Sequence, residues 1–159
     1  MIKEKKELTS AQAKEKALRL LEFRSHSEKE LVTKLLRAGA NKEDLAPIID
    51  FLKEYGFLND TEYAKGLARD LQNLKKLGKH RIVQELKARG IGGEALDEAL
   101  SELDDDDEDM LLSLLERKLG GDFDKKNVDR AIRYFLYRGY SFDDIKACID
   151  RLKSDYFED

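Results

Sequence analysis

Three segments of this chain each close on glycine at a near-constant interval, and that repetition restricts its possible folds more than any other feature. They are Lys34-Leu35-Leu36-Arg37-Ala38-Gly39, Glu85-Leu86-Lys87-Ala88-Arg89-Gly90 and Tyr134-Phe135-Leu136-Tyr137-Arg138-Gly139, with glycines 51 and 49 residues apart. Four residues before each glycine stands Leu35, Leu86 or Phe135, and eight before stands Leu31, Ile82 or Ala131. Six residues after come Leu45, Leu96 and Ile145; ten after, Ile49, Leu100 and Ile149; thirteen after, Leu52, Leu103 and Leu152. Steps of three and four put these side chains on one helical face, and the glycine marks where a helix stops.

Each unit reads as three helices. In the first, a helix runs from about Ser10 to Arg24, a second starts at Glu28, and a third opens at Asn41 or Lys42 and ends at Tyr55, before Gly56. Ser27 and Glu30 have capping-box spacing. Asp60 is read as the cap of the helix bearing Tyr63, Ala64, Leu67, Ala68 and Leu71, and Pro47 as a kink or late start within the third helix. One proline, ten glycines and few alternating stretches argue against a sheet. The expected fold is all-α, a tandem repeat of three helix-turn-helix-like three-helix units, elongated and curved. The expected organisation is a flexible N-terminal segment at 1–9, repeats at 10–56, 57–103 and 104–154, and a C-terminal tail at 155–159.

Charge is distributed unevenly. Residues 1–80 hold 17 Lys/Arg against 13 Asp/Glu, a net of +4, whereas residues 81–159 hold 13 against 21, a net of -8. Between residues 65 and 90, Lys65, Arg69, Lys75, Lys76, Lys79, Arg81, Lys87 and Arg89 face only Asp70 and Glu85 as acids. This stretch is either a phosphate- or partner-contacting surface or the solvated face of two helices. No aromatic residue is interleaved in it, so it does not read as a stacking platform. The acidic helix starts after Gly39, Gly90 and Gly139 rank sequence-specific duplex binding low.

Little here suggests catalysis. Cys148 matches the inward positions Ile48 and Ala99 and reads as a buried thiol, and His26 and His80 are 54 residues apart. The acidic run 104–109 lacks the glycine and terminal glutamate of a calcium loop. The chain is therefore read as a non-enzyme with no cofactor and no metal. A lone cysteine, and no run of 18 apolar residues, give a cytoplasmic protein with no membrane association as the expectation.

The segment from Arg24 to Leu31 (RSHSEKEL), with Lys34-Leu35 and Gly39, resembles the first unit of the bacterial RecX regulatory family. Tyr55-Gly56-Phe57-Leu58-Asn59-Asp60 with Tyr63-Ala64 is similar to that family's passage into its second unit. Leu77-Gly78, Arg81-Ile82, Glu85-Leu86 and Arg89-Gly90-Ile91 resemble its most typical motif, and Ala131–Phe135 with Arg138-Gly139-Tyr140-Ser141 fit its third unit. The resemblance implies a regulator of the RecA recombinase in DNA repair, recombination and the SOS response. Such a protein binds the RecA filament on single-stranded DNA in its groove and suppresses extension, ATP hydrolysis and strand exchange. The implied contact residues are Lys65, Arg69, Lys75, Lys76, Lys79, Arg81, Lys87, Arg89 and Tyr137, with Tyr134 and Tyr140 either contacts or core. The implied partners are the RecA filament and single-stranded DNA, met directly or through the filament, by a monomer. The competing readings are a helical-repeat adaptor for another protein and a nonspecific DNA-binding protein.

Overall fold

The computed structural model describes residues 7–104 and 107–158, with only the backbone of Asp107. Most of the expected N-terminal segment, and Asp105 and Asp106 of the acidic run, lie outside the described residues. Nine helices follow in order among the described residues: α1 (Ser10–Phe23), α2 (Glu28–Ala38), α3 (Lys42–Glu54), α4 (Asp60–Asn73), α5 (Lys79–Ala88), α6 (Gly93–Ser101), α7 (Asp107–Leu119), α8 (Lys125–Tyr137) and α9 (Phe142–Phe157). The fold is all-α and built of tandem three-helix units.

The closing glycines do what their spacing predicts. Gly39, Gly90 and Gly139 have φ of 104°, 82° and 101°, the left-handed region that glycine enters without penalty. Behind each, the same pair of backbone bonds ends the helix. Ala40, Ile91 and Tyr140 donate to the carbonyls of Leu35, Leu86 and Phe135, each at 3.0 Å. The glycine amides themselves donate to Leu36, Lys87 and Leu136 at 2.9–3.1 Å, completing Schellman turns. The register positions before the glycines are buried as the periodicity requires: Leu31, Ile82 and Ala131 are at most 1% exposed, and Leu35, Leu86 and Phe135 at most 2%; of those after the glycines, Leu100 and Leu152 are half-buried.

Helix starts are set by short polar side chains. Thr9 with Gln12 and Ser27 with Glu30 form complete capping boxes at α1 and α2. Asp60 departs from expectation. The cap of α4 is Asn59, whose Oδ1 accepts from the Glu62 amide at 3.1 Å, while Asp60 Oδ1 accepts from the Glu28 amide at 2.8 Å and serves the start of α2 instead. Burial raises the Asp60 pKa above the ordinary carboxylate value, against the lowering effect of that amide. Pro47 lies inside α3, exposed, and the helix continues through it.

The chain divides into two compact units. One is formed by the chain up to Gly66 with Leu86–Ala99, the other by Leu67–Glu85 with the chain from Leu100 onward. The core of the first holds Ala13, Ala17, Leu31, Leu35, Ile48 and Leu52; that of the second holds Leu111, Leu115, Phe135, Tyr140, Ile145 and Cys148. Cys148 is 2% exposed, and burial raises its thiol pKa.

Each unit contains one junction between successive repeats, and both are made the same way. Twelve residues before the closing glycines stand Ser27 and Gly78. In the first unit the Ser27 hydroxyl donates to the Arg89 carbonyl; in the second the Gly78 amide donates to the Arg138 carbonyl at 2.9 Å. The neighbouring chain is so close that a Cβ on Gly78 would sit 2.5 Å from the carbonyl carbon of Gly139. Beside Ser27, His26 is 2% exposed. Its Nδ1–H donates to the Arg24 carbonyl at 2.9 Å, leaving Nε2 to accept from Lys34 Nζ at 2.8 Å. Burial first, with the nearby Arg24 and Lys34 charges, lowers the His26 pKa despite the raising effect of the carbonyl bond.

Two outcomes follow from these junctions. Gly78→Ala is expected to destabilise by about 2 kcal/mol or more through overpacking against backbone. Gly92→Ala, with open space around it, is expected to stay within about 0.5 kcal/mol, both read by urea denaturation. For His26, the folded chain resists a proton that the unfolded chain accepts near pH 6.5, so its stabilisation is complete above about that value and declines as pH falls through it. The Tm advantage of the native chain over His26→Gln should therefore shrink between pH 7.5 and 5.5; an advantage independent of pH would contradict a neutral buried imidazole.

Candidate functional site

The loop between α4 and α5 carries Lys75 and Lys76 and is pinned at several points. Arg138 donates a guanidinium N–H to the Lys75 carbonyl, and the Tyr140 hydroxyl donates to the Lys76 carbonyl at 2.7 Å. The His80 amide donates to the Gly139 carbonyl at 3.1 Å. Lys76 itself has φ of 57°, a left-handed conformation unusual for a residue with a side chain. The result is a groove of about 360 Å³ lined by Lys75, Lys76, Leu114, Arg117, Lys118, Tyr134, Phe135 and Arg138.

Five cations line this groove and no acid does. Tyr134, 41% exposed, stands among them, with Lys118 Nζ 4.2 Å and the Arg138 guanidinium carbon 5.7 Å from its ring centroid. Arg117 and Lys118 occupy the last turn of α7, where the helix dipole favours positive charge. A recess of this kind attracts polyanions and offers an aromatic face between cations, the pairing used for backbone phosphates with a stacked base. No stacking platform was legible around residues 65–90, because the aromatic residue comes from α8.

The other expected contact residues are placed as follows. Arg69 and Lys79 are exposed in the second unit. Arg81 Nε lies 3.0 Å from Glu85, its guanidinium carbon lies 4.9 Å from the ring centroid of Tyr137, and Tyr137 is 73% exposed. Tyr140 is 4% exposed and belongs to the core. In the first unit, Lys65 is half-buried, with Nζ 3.7 Å from Glu98 and 3.8 Å from Glu62. Lys87 is exposed. Arg89 donates to the Tyr63 hydroxyl at 3.3 Å, and its Nε is buried without a hydrogen-bond partner. Burial and the adjacent Glu30 raise the Tyr63 pKa. Glu30 is opposed by burial, yet hydrogen bonds from Ser27, Tyr63 and Arg24 hold its carboxyl below the ordinary value.

A second cationic recess, of about 240 Å³, is formed in the first unit by Lys29, Lys34, Arg37 and Arg89 around Glu30 and Thr33. Arg117, Lys118, Arg138, Lys29, Lys34 and Arg37 are the cations that sequence reasoning passed over. They lie outside the basic stretch at 65–90, and the shared position of Arg89 and Arg138 before a closing glycine was the available signal. Among the described residues, no group of three His, Cys, Asp or Glu side chains is arranged to hold a metal ion. No helix among them is long and apolar enough to cross a membrane.

Comparison with known proteins agrees with this architecture. The family model described as RecX, first three-helix domain, matches residues 13–52, and that described as RecX, second three-helix domain, matches residues 59–100. The chain is 37% identical to the Regulatory protein RecX of Clostridioides difficile (strain 630) over 144 residues, covering 88% of this chain and 68% of that one. It is 33% identical to the Regulatory protein RecX of Vibrio parahaemolyticus over 148 residues, covering 92% and 95%. The crystal structure of RecX from Lactobacillus salivarius superposes with a TM-score of 0.81 at 23% identity, covering 91% of this chain and 96% of that one.

The groove's cations should separate by role in stability measurements. Arg138→Gln loses a charged hydrogen bond to the Lys75 carbonyl and should cost about 1.5–3 kcal/mol in denaturant unfolding. Lys118→Gln, at an exposed position, should change stability by no more than about 0.5 kcal/mol.

Proposed function

Because the chain belongs to the RecX family of regulatory proteins, we propose that it regulates the RecA recombinase in the cytoplasm, as part of DNA repair and recombination. In this reading it lies in the groove of the RecA filament on single-stranded DNA and inhibits filament extension, ATP hydrolysis and strand exchange. Family membership is the observation that carries the regulatory role. The acid-free cationic groove around Tyr134 supports the DNA-facing part.

On this basis Lys75 and Lys76, with Arg117, Lys118 and Arg138, meet backbone phosphates, and Tyr134 meets a base. Arg69, Lys79, Arg81 and Tyr137 serve the same partner surface of the second unit, and Lys65, Lys87 and Arg89 that of the first. Regulation then needs no chemistry: several weak contacts held on one chain raise each other's effective concentration and retain it on a polymeric partner.

The experiment is a titration of the chain into preformed RecA filaments on single-stranded DNA, following ATP hydrolysis and cosedimentation together, with bare DNA at the same salt beside it. Substoichiometric loss of hydrolysis with the chain retained on filaments is expected. A Lys75→Gln/Lys76→Gln/Lys118→Gln variant should keep its fold, require several-fold more protein for the same inhibition, and show a shallower salt dependence by up to about three phosphate contacts. Binding to bare DNA alone, without effect on hydrolysis, would favour the nonspecific DNA-binding reading. If the chain is not retained on filaments and the rate of hydrolysis does not change, the proposal is overturned.

A further inference from the structure

The second unit carries another recess, larger than the cationic groove and sharing no residue with it. It measures about 590 Å³ and lies where the C-terminal ends of α7 and α9 meet the loop before α8. Leu112 and Leu119 of α7, Phe123 of the loop and Leu152 of α9 give it an apolar lining. Glu116 on α7 and Asp155 on α9 add two carboxylates, neither paired with a cation among the described residues, and no Lys or Arg lines the recess.

Two independent features make this recess attractive to a cation. The carboxylates come from two different helices. Aromatic rings supply the second: Tyr156 lies 5.4 Å from Phe123 and 5.2 Å from Phe157, between centroids, with Tyr156 and Phe157 58% and 64% exposed. Gly120 and Gly121, both left-handed, let the chain turn beneath this cluster; a Cβ on Gly121 would already stand 3.4 Å from the Tyr156 ring. Aromatic faces attract cations, and a planar guanidinium both stacks on a ring and bonds a carboxylate in a fork.

We propose that this recess docks an arginine-bearing, otherwise aliphatic peptide segment of a protein partner, the guanidinium held by Glu116 and Asp155 over Tyr156 and the aliphatic residues seated on the leucine and phenylalanine lining. The volume suits a few side chains rather than one. The carboxylates exclude phosphate-bearing ligands, so this surface is distinct in chemistry from the cationic groove of the same unit.

The test uses the full chain and a fluorescein-labelled octapeptide alternating arginine and leucine, read by anisotropy. The controls are the same peptide with citrulline for arginine, and Glu116→Gln/Asp155→Asn and Tyr156→Leu variants whose folding is checked by thermal melts. Saturable binding is expected, weakened at least about tenfold by the double amide variant and by citrulline, and several-fold by Tyr156→Leu. Equal binding by the double variant would overturn the proposal, because attraction would then come only from the chain's overall negative charge. Sedimentation velocity gives the other decisive outcome: a concentration-dependent dimer abolished by the double variant would make a second copy of the chain the occupant and overturn a peptide partner.

Discussion

Two carbonyl groups, those of Arg89 and Arg138, are the points at which successive repeats are tied. Each belongs to the residue just before a closing glycine, and each accepts a hydrogen bond from the position that starts the middle helix of the preceding repeat, Ser27 in one case and Gly78 in the other. The glycine that follows is needed twice. Its left-handed φ closes its own helix, and its missing side chain admits the neighbour, Lys29 against Gly90 and Arg81 against Gly139. A residue with a Cβ would fail on both counts, which is why the glycine interval sets the architecture.

The same positions also distribute charge. Arg89 and Arg138 give their carbonyls to the junctions and their side chains to cationic recesses, one in each compact unit. Repeating the packing therefore repeats the placement of a guanidinium beside additional cations drawn from other helices. This arrangement suits binding through several contacts; Cys148 is sealed in a core, and His26 is committed to a carbonyl and a lysine.

Much of the fold was legible because a helix leaves a periodic trace and a left-handed terminus demands glycine. The buried register positions and the Ser27 capping box follow from local spacing alone. Asp60 did not, since its carboxylate reaches an amide 32 residues away, and adjacency in sequence pointed to the helix beside it. The cationic groove was half legible. Lys75 and Lys76 lie in the basic stretch, whereas Arg117, Lys118, Tyr134 and Arg138 come from a half of the chain with a net charge of -8, and only packing sorts them from the surrounding acids. Tyr134 and Tyr140 illustrate the same limit: six residues apart, one lines the groove and the other is buried.

Lys76 shows what such a surface asks of a backbone. Its φ of 57° belongs to the region where a Cβ is unwelcome, at a cost of order 1 kcal/mol, and the conformation is held by the tyrosine hydroxyl on its carbonyl. Glycine would relax the strain and remove one of the five charges in the same step. Thermal robustness and electrostatic reach are thus opposed at one residue, and a version of this chain optimised for endurance would be expected to give up grip there first.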